Sequence, residues 1–139
     1  MREGEIREPA PGTRATATLT VGPSDLASAV GLEPRDEFPG VLATARLVAL
    51  MEIAASRILR PHLSPGELSV GVSLDIRHSA ATPPGATVTA TATFVRKEGK
   101  FFLFEVVAAD EAGEIGSGTH RRAAVASERL LARARSRRG

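Results

Sequence analysis

One stretch of this chain, residues 41–59, constrains the fold more than any other. It consists of Leu, Ala, Val, Met and Ile with few polar interruptions, and it ends before Arg60-Pro61. This composition predicts a single long helix, because proline disfavours helical geometry in the residue before it. Since most of the helix circumference is apolar, the helix must be covered on several sides rather than lie on a surface.

The segments on either side of this helix alternate between apolar and polar residues, as strands with one buried face do. They are residues 13–21 before the helix and 70–78, 87–95, 101–109 and 115–126 after it. Segment 101–109 is apolar on both faces apart from Glu105, which predicts a central position in the sheet or a covered second face. Short turns separate the last four segments, so we expect an antiparallel meander.

Together these elements predict an α+β protein of the hot-dog fold, in which a curled antiparallel β-sheet wraps around one long central α-helix. Such a sheet leaves one open side of the helix and the sheet edges for a partner subunit. Residues 23–30 predict a short helix and residues 33–40 a loop. We expect a single domain over residues 1–139, with an extended arm at 1–12 and a basic helix or tail at 127–139.

The composition excludes several kinds of chemistry. Without cysteine the chain can form no disulfide, no Cys-ligated metal site and no thiol nucleophile. It also lacks Trp and Tyr, so it has few aromatic platforms for stacking on nucleic-acid bases. There is no apolar run long enough for a membrane span, and the N-terminus lacks the order of a signal peptide. We therefore expect a cytoplasmic protein without membrane contact.

Positive charge is concentrated at the C-terminal end. Five arginines follow Ser127, and without that segment acidic residues outnumber basic ones. We interpret the segment as a solvated helix or tail, because cations are favoured near a helix C-terminus. Contact with the phosphates of a ligand or of nucleic acid is the alternative, although we expect no nucleic-acid partner.

Glu52 is a candidate for chemistry because it lies inside the apolar helix. Burying an unpaired carboxylate costs on the order of several kcal/mol, so such a residue needs a partner or a function, and acid–base catalysis is one such function. On a helical projection Glu52 also borders a polar stripe with Arg46, Ser56 and Arg57. A solvated or ion-paired carboxylate is therefore the alternative.

His78 is the second candidate. The apolar residues at 70, 72, 74 and 76 share its strand parity, so the pattern points the imidazole toward the helix. Histidine titrates near neutrality, and a neighbouring carboxylate such as Glu52 would fix its tautomer and raise its basicity. A hydrogen-bonded packing role is the alternative.

Thr44 supplies a hydroxyl near the helix start, where an N-cap is the alternative role. In one straight helix about 12 Å would separate Thr44 from Glu52 along the axis. A shared site then requires Thr44 in the entry turn, a substrate that spans the gap, or a neighbouring subunit. His62 and His120 are weaker candidates, and the histidine spacing fits no metal site, so we expect no metal. The glycines at 116 and 118 predict a bulge or a close backbone approach.

Three stretches of the sequence carry a family resemblance. They are Phe38-Pro39 with Ala43-Thr44 and Leu50-Met51-Glu52, the run His78-Ser79-Ala80-Ala81-Thr82-Pro83-Pro84-Gly85, and the run Glu114-Ile115-Gly116-Ser117-Gly118-Thr119-His120 with Arg122. In this combination and at these separations they resemble the fluoroacetyl-CoA thioesterase family of hot-dog proteins.

The resemblance implies a catalytic set of Thr44, Glu52 and His78. It also implies a strand glycine beside the thioester, an arginine near the bound CoA and a lid phenylalanine over the acyl pocket, which are Gly71, Arg122 and Phe38. Members of the family resemble dimers with sites near the subunit interface, which implies a homodimer or a dimer of dimers. Gly40 and the pair Ala45-Arg46 depart from the family pattern, so the acyl selectivity stays open.

We therefore expect a thioesterase that hydrolyses a small or medium acyl-CoA to free acid and CoA without a cofactor. In this hypothesis His78, oriented by Glu52, activates water or Thr44, and backbone amides near Gly71 polarise the carbonyl. Two alternatives are a hot-dog enoyl-CoA hydratase or dehydratase and a non-catalytic acyl-CoA-binding or sensor module. The sequence leaves open whether CoA or a carrier protein bears the acyl group and whether an acyl-enzyme forms.

Overall fold

A computed structural model describes residues 8–138 of the chain. Within them the strands are β1 (Arg14–Thr20), β2 (Glu67–His78), β3 (Thr87–Glu98), β4 (Phe101–Asp110) and β5 (Gly113–Ala126), and the α-helices are α1 (Thr44–Leu59) and α2 (Ser127–Ser136). Of the arm predicted at 1–12, residues 1–7 lie outside the described part. Its last residues form a turn held on β3, since the Gly12 amide donates to the Phe94 carbonyl at 2.8 Å.

The strands form one antiparallel sheet in the order β1-β3-β4-β5-β2, and α1 packs against four of them. Leu47, Met51 and Leu59 of α1 are fully buried. They share a core with the rings of Phe94 and Phe104 on the inner face of the sheet. The predicted architecture, a curled antiparallel sheet around one central helix, is confirmed.

The sequence alternation predicts the faces of β1 and β3 correctly. In β3 the four predicted inward residues, Val88, Ala90, Ala92 and Phe94, are all buried, whereas the threonines between them are half-buried. β4 occupies the centre of the sheet, which is one of the two positions that its apolar sequence predicts, while Glu105 and Val107 on its outer face are exposed. Alternation is reliable here because a side chain's face follows strand parity wherever the ladder is regular.

The predicted four-strand meander is wrong for β2, which pairs with β5 rather than with β3. The loop at 79–86 carries the chain past the start of α1. There the Leu42 amide donates to the Thr82 carbonyl at 2.9 Å, and the Gly85 amide donates to the Val21 carbonyl at 2.8 Å. The loop is too long and too rich in proline for a tight hairpin, and β3 lies on the opposite side of the sheet, between the edge strand β1 and β4.

The predicted face of Val70 and Val72 is also wrong. Gly71 pairs with Arg122 and Ser73 with Arg121, so Val72 is an extra, bulged residue in β2. The bulge reverses strand parity. Gly71 therefore faces α1, while Val70 lies on the outer face of the sheet opposite Ala123 and Val72 is largely exposed.

The entry to α1 differs from the prediction by three residues. Leu42 pairs with Leu26 in an isolated bridge, and Ala43 is extended, so the helix begins at Thr44. The same bridge interrupts the short helix predicted at 23–30. That segment forms two 3₁₀ turns, Pro23–Asp25 and Ala27–Ala29, with an extended Leu26 between them.

One further prediction from the C-terminal half, a close backbone approach at a glycine, is confirmed. Gly116 marks a close backbone approach, because a Cβ on it would lie 2.6 Å from the Arg77 carbonyl oxygen. The basic segment after residue 126 is helical as far as Ser136. In the described residues, neither α-helix has both the length and the apolarity to span a bilayer.

Candidate active site

Thr44 and His78 form the first part of the site. The Thr44 Oγ1 lies 2.8 Å from Nδ1 of His78. Thr44 is the first residue of α1, yet its hydroxyl does not cap the helix, since the N-cap is Ala43 and no side chain bonds to the free amides. His78 ends β2, and the loop that follows brings it against the helix start. The structure thus places Thr44 in the entry turn and gives its hydroxyl a histidine partner.

A cavity of about 370 Å³ opens beside this pair. Apart from Thr44, His78 and Ser79, its lining is apolar, contributed by Ala27, Phe38, Pro39, Val41, Leu42, Ala80 and Ala81. The Phe38 side chain, predicted as a lid, is about half exposed at the cavity wall. A small apolar group fits such a lining better than a charged one, because the walls offer it few polar partners.

The second nitrogen of His78 is the unusual atom of this pair. Nε2 is buried and has no hydrogen-bond partner among the described residues. A buried ring nitrogen without a partner is costly, and such atoms in native proteins call for an explanation. Because Nε2 is covered within the chain, neighbouring groups must move before a ligand or a second protein chain can reach it.

Glu52 belongs to a different cluster within the chain. Its Oε2 accepts a hydrogen bond from Nη1 of Arg122 at 3.0 Å. Arg122 lies on the inner face of β5 and its side chain is only 7% exposed, while that of Glu52 is 36% exposed. Burial lowers the pKa of Arg122 and the Glu52 carboxylate opposes this shift. The carboxylate inside the apolar helix therefore has a buried cation as its partner.

Arg122 is held on its other side by Ser69 of β2. Nε donates to the Ser69 hydroxyl at 3.0 Å, and Nη2 donates to the Ser69 carbonyl at 2.9 Å. Ser69 precedes the bulge and has the parity of Gly71, so it faces inward as well. With the Glu52 contact, all three guanidinium nitrogens are engaged, which fixes the plane of the group.

Gly71 lies against the same cluster. A Cβ at this position would collide with Oε2 of Glu52 and would lie 3.1 Å from Cε1 of His120. The carboxylate therefore occupies the space that any side chain at residue 71 would need. Glycine is required here for close approach rather than for a special backbone angle.

His120 completes this cluster and is fully buried. Its Nδ1 lies 2.9 Å from the Ser73 carbonyl oxygen, and its Nε2 lies 3.1 Å from Nη1 of Arg122. Burial lowers the pKa of His120 below the ordinary value, and the nearby Arg122 charge lowers it further, although the Ser73 bond and Glu52 act in the opposite direction. Burial therefore favours the neutral form of the imidazole.

The six residues predicted for the site thus fall into two groups within one chain. Thr44, His78 and Phe38 share the cavity, and the other group contains Glu52, Gly71 and Arg122. Within the described chain Glu52 forms no hydrogen bond to His78, so the pairing of these two residues stays a prediction.

Sequence reasoning missed Ser69 and undervalued His120. Ser69 stands two residues before Gly71 and shares its face, but alternation alone assigns that face to the outside, because it does not reveal the bulge at Val72. His120 stands two residues before Arg122 and shares its face in the same way. Metal ligation by this cluster has no support, since no group of three His, Asp or Glu in the part of the chain that the structure describes is close enough to hold an ion.

Comparison with known proteins shows which family this chain belongs to. Residues 21–128 match the family described as fluoroacetyl-CoA-specific thioesterase. The fluoroacetyl-CoA thioesterase of Streptantibioticus cattleyicolor is 48% identical over 99 residues, which is 71% of each chain. A crystal structure of a variant of the fluoroacetyl-CoA-specific thioesterase FlK superposes with a TM-score of 0.89 at 40% identity, covering 94% of this chain and 98% of that one. A Thermus thermophilus hypothetical protein, a thioesterase superfamily member, gives a TM-score of 0.85 at 28% identity, with 96% of each chain covered.

The fold and these similarities define a thioester hydrolase of the hot-dog class. Within that class, the chain belongs to the fluoroacetyl-CoA-specific thioesterase family. The predicted fold, family and enzyme class are therefore confirmed.

Proposed function

We propose that this protein hydrolyses a small acyl-CoA thioester to the free acid and CoA, with Thr44, Glu52 and His78 as its catalytic residues. Family membership supports the reaction class. The observation that carries the site is the 2.8 Å contact between Thr44 Oγ1 and His78 Nδ1 at the edge of an apolar cavity of about 370 Å³. A hydroxyl bonded to an imidazole beside such a cavity can meet an acyl carbonyl lodged there.

The chemistry follows from the properties of this pair. His78 takes the proton of the attacking hydroxyl, from Thr44 or from water, as oxygen bonds to the thioester carbonyl carbon. When the carbon–sulfur bond breaks, the imidazolium returns that proton to the departing CoA thiolate. Attack by water gives the free acid directly, whereas attack by Thr44 leaves an acyl ester that water, activated by His78, must then hydrolyse to release the acid and restore the hydroxyl. Phe38 limits the room for the acyl group because it lines the cavity. The lining supports a short acyl chain as substrate.

The imidazolium form of His78 is stabilised when the other ring nitrogen, Nε2, donates a hydrogen bond to an acceptor. Once Nδ1 has taken the hydroxyl proton, Nε2 carries a proton as well and needs a negatively charged partner. Nε2 of His78 is buried and unpartnered within the described residues. Glu52 has one oxygen on Arg122, and Oε1 makes no hydrogen bond in the part of the chain described. We infer that Nε2 becomes accessible when a second copy binds, and that it then pairs with Glu52 of that copy.

We also propose that the protein is a homodimer, which brings the two groups of site residues together across the interface. β2 is an edge strand whose partner in the described residues is β5 alone, so its other edge is open for pairing. Exposed apolar side chains lie on this strand and on the open side of α1, namely Leu68, Val72 and Ile53. Glu52 lies next to Ile53 and the same surface would carry Gly71 and Arg122 toward the cavity of the second copy.

An oligomerisation experiment tests the dimer. We expect light scattering to give twice the chain mass for the wild type and a single chain mass for Ile53→Asp, because a charge at the centre of an apolar interface is costly. Leu32→Asp is the matched control, since Leu32 is even more exposed at 97% but lies in the loop before α1, outside the proposed interface. A wild-type monomer would contradict the dimer, as would an unchanged mass for Ile53→Asp.

Thiol release from a panel of acyl-CoA substrates tests the reaction. We expect release from short acyl groups such as acetyl or fluoroacetyl, and a fall in kcat of about 10²- to 10⁴-fold for His78→Ala and Glu52→Gln. His62→Ala and Glu105→Gln are the matched controls, because both residues lie outside the two groups. Binding of acyl-CoA without turnover would favour a sensor module instead, and turnover of enoyl-CoA without thiol release would favour a hydratase. We also propose that the protein acts in the cytoplasm and needs no cofactor.

A further inference from the structure

His120 is the most deeply enclosed polar residue of the Glu52 cluster, and the proposed chemistry does not use it. It is fully buried, and its ring centroid lies 6.3 Å from that of Phe104 on β4. Both ring nitrogens nevertheless have partners. These are the Ser73 carbonyl oxygen at Nδ1 and the Arg122 guanidinium at Nε2.

The chemistry of the two partners fixes the tautomer of the ring. A carbonyl oxygen can only accept a hydrogen bond, so Nδ1 must carry the proton. A guanidinium can only donate, so Nε2 must present its lone pair. His120 is therefore neutral and protonated at Nδ1. The charged groups that face it are Arg122 from β5 and Glu52 from α1, while β2 and β4 contribute the Ser73 carbonyl and the Phe104 ring.

Nε2 of His120 affects the orientation of Arg122, because Nη1 of the arginine carries two hydrogens and each needs an acceptor. One points at Oε2 of Glu52, at 3.0 Å between heavy atoms, and the other at Nε2 of His120, at 3.1 Å. The two N–H bonds of one guanidinium nitrogen diverge in the plane of the group, so satisfying both requires one orientation of that plane. Removing either acceptor leaves a buried donor unpaired and lets the guanidinium turn toward another partner.

We infer that His120 is a positioning residue, which acts as a neutral hydrogen-bond acceptor that holds Arg122 so that the arginine engages only one oxygen of Glu52. The other oxygen, Oε1, is then left for the reaction. His120 itself touches neither substrate nor reacting atoms. This inference rests on the proposed role of Glu52, but the geometry that it predicts can be measured without turnover.

Two amide variants separate the acceptor role from mere filling of space. In His120→Gln the side-chain oxygen reaches about as far as Nε2 and can accept from Arg122. In His120→Asn the amide reaches only as far as Nδ1 and can bond to Ser73 but not to Arg122. We expect kcat for acyl-CoA hydrolysis to stay within about threefold of the wild type for His120→Gln and to fall about tenfold to a hundredfold for His120→Asn, with KM changed much less.

His62→Asn is the control for a histidine-to-amide change, since His62 lies in the turn after α1 and outside the cluster; its kcat should equal that of the wild type. Circular dichroism on each variant confirms that it is folded. Equal kcat values for folded His120→Gln and His120→Asn would overturn the inference, whether both were high or both were low.

Nitrogen-15 NMR of the histidine rings gives a readout that does not depend on activity. At neutral pH we expect the His120 resonances to report a proton on Nδ1 and a bare Nε2, and the Arg122 Nη1 protons to remain slowly exchanging in His120→Gln but not in His120→Asn. A proton on Nε2 of His120 would overturn the inference. If the wild type releases no thiol while these NMR results hold, the proposed function fails and the positioning of Arg122 stands.

Discussion

At the scale of single residues, Gly71 gives the sharpest test of the Glu52 cluster. A methyl group at this position would collide with Oε2 of Glu52, the end of a flexible side chain. We expect Gly71→Ala to fold, because the carboxylate can swing away, but to lose its ion pair with Arg122. Since displacement of a catalytic group by about 1 Å can cost about 10²-fold in rate, kcat should fall by roughly that factor in a thiol-release assay.

Gly22→Ala is the matched control for that change. A Cβ on Gly22 would lie 3.6 Å from the nearest atom, an oxygen of Asp25, which is ordinary van der Waals contact. Its kcat should equal that of the wild type. If Gly71→Ala kept full activity, Glu52 would not need the position that the structure gives it.

The buried His120 predicts how stability depends on pH. Because its pKa is lowered in the folded protein, mainly by burial, the unfolded chain binds a proton more readily. Its contribution to the free energy of unfolding is therefore complete above the unfolded pKa of about 6.5 and is lost as the pH falls from there through the folded pKa.

Urea unfolding of the wild type and of His120→Gln at several pH values checks this. Glutamine does not titrate, so the difference in unfolding free energy between the two proteins should shift in favour of the variant as the pH falls below about 6.5. His62 and His78 are present in both proteins and cancel in the difference. A difference that is flat across this pH range would show that His120 is not held neutral.

The candidate residues show what a sequence can and cannot predict about a site. A carboxylate inside an apolar helix requires a partner, and that requirement is visible in the sequence at Glu52. Its partner within the chain, Arg122, is set by the pairing of β2 with β5 and by the bulge at Val72. Neither can be derived from alternation, because a bulge adds one residue without changing the residue types around it.

At the scale of an element, β4 offers a matched pair of neighbours on opposite faces. Val106 is fully buried against the core, whereas Val107 on the outer face is 41% exposed. We expect Val106→Ala to lower the free energy of unfolding by about 2 kcal/mol, since it loses buried methyl groups and leaves a cavity. Val107→Ala should change it by less than about 0.5 kcal/mol. Denaturant unfolding of both variants measures this, and equal losses would mean that the outer face of β4 is also covered.

The strand faces of β1 and β3 follow from their sequences, because each pairs in a regular register over most of its length. The start of α1 does not. Helix propensity alone extends the helix back to residue 41, but Leu42 is used instead in a bridge to Leu26 and in a bond to Thr82. Tertiary contacts thus shorten the helix and place Thr44 at its first position, where its hydroxyl can reach His78.

At the scale of the whole molecule, the crossover after β2 determines how the site is divided. Because β2 leaves the meander and takes the far edge of the sheet, Gly71 and Ser69, one of the partners of Arg122, lie on an edge strand. The Thr44 and His78 pair lies where β2 ends and α1 begins. The axial distance between Thr44 and Glu52 that follows from helix geometry already requires such a separation. The sequence therefore predicts that something must bring the two groups of site residues together, but it does not predict what does so.

Subunit mixing tests whether each site combines Glu52 of one copy with His78 of a second copy. His78→Ala keeps Glu52, and Glu52→Gln keeps His78, so a hybrid dimer of these two inactive variants has one intact site if each site combines residues from both copies. Random pairing of equal amounts makes half of the dimers hybrid, so activity should return to about a quarter of the wild-type value. Mixing His78→Ala with Thr44→Ala is the control, because both substitutions fall in the same half of the site and no hybrid is intact. If the first mixture stays as inactive as the control while the hybrids are shown to form, then Glu52 and His78 act within one chain or do not act together.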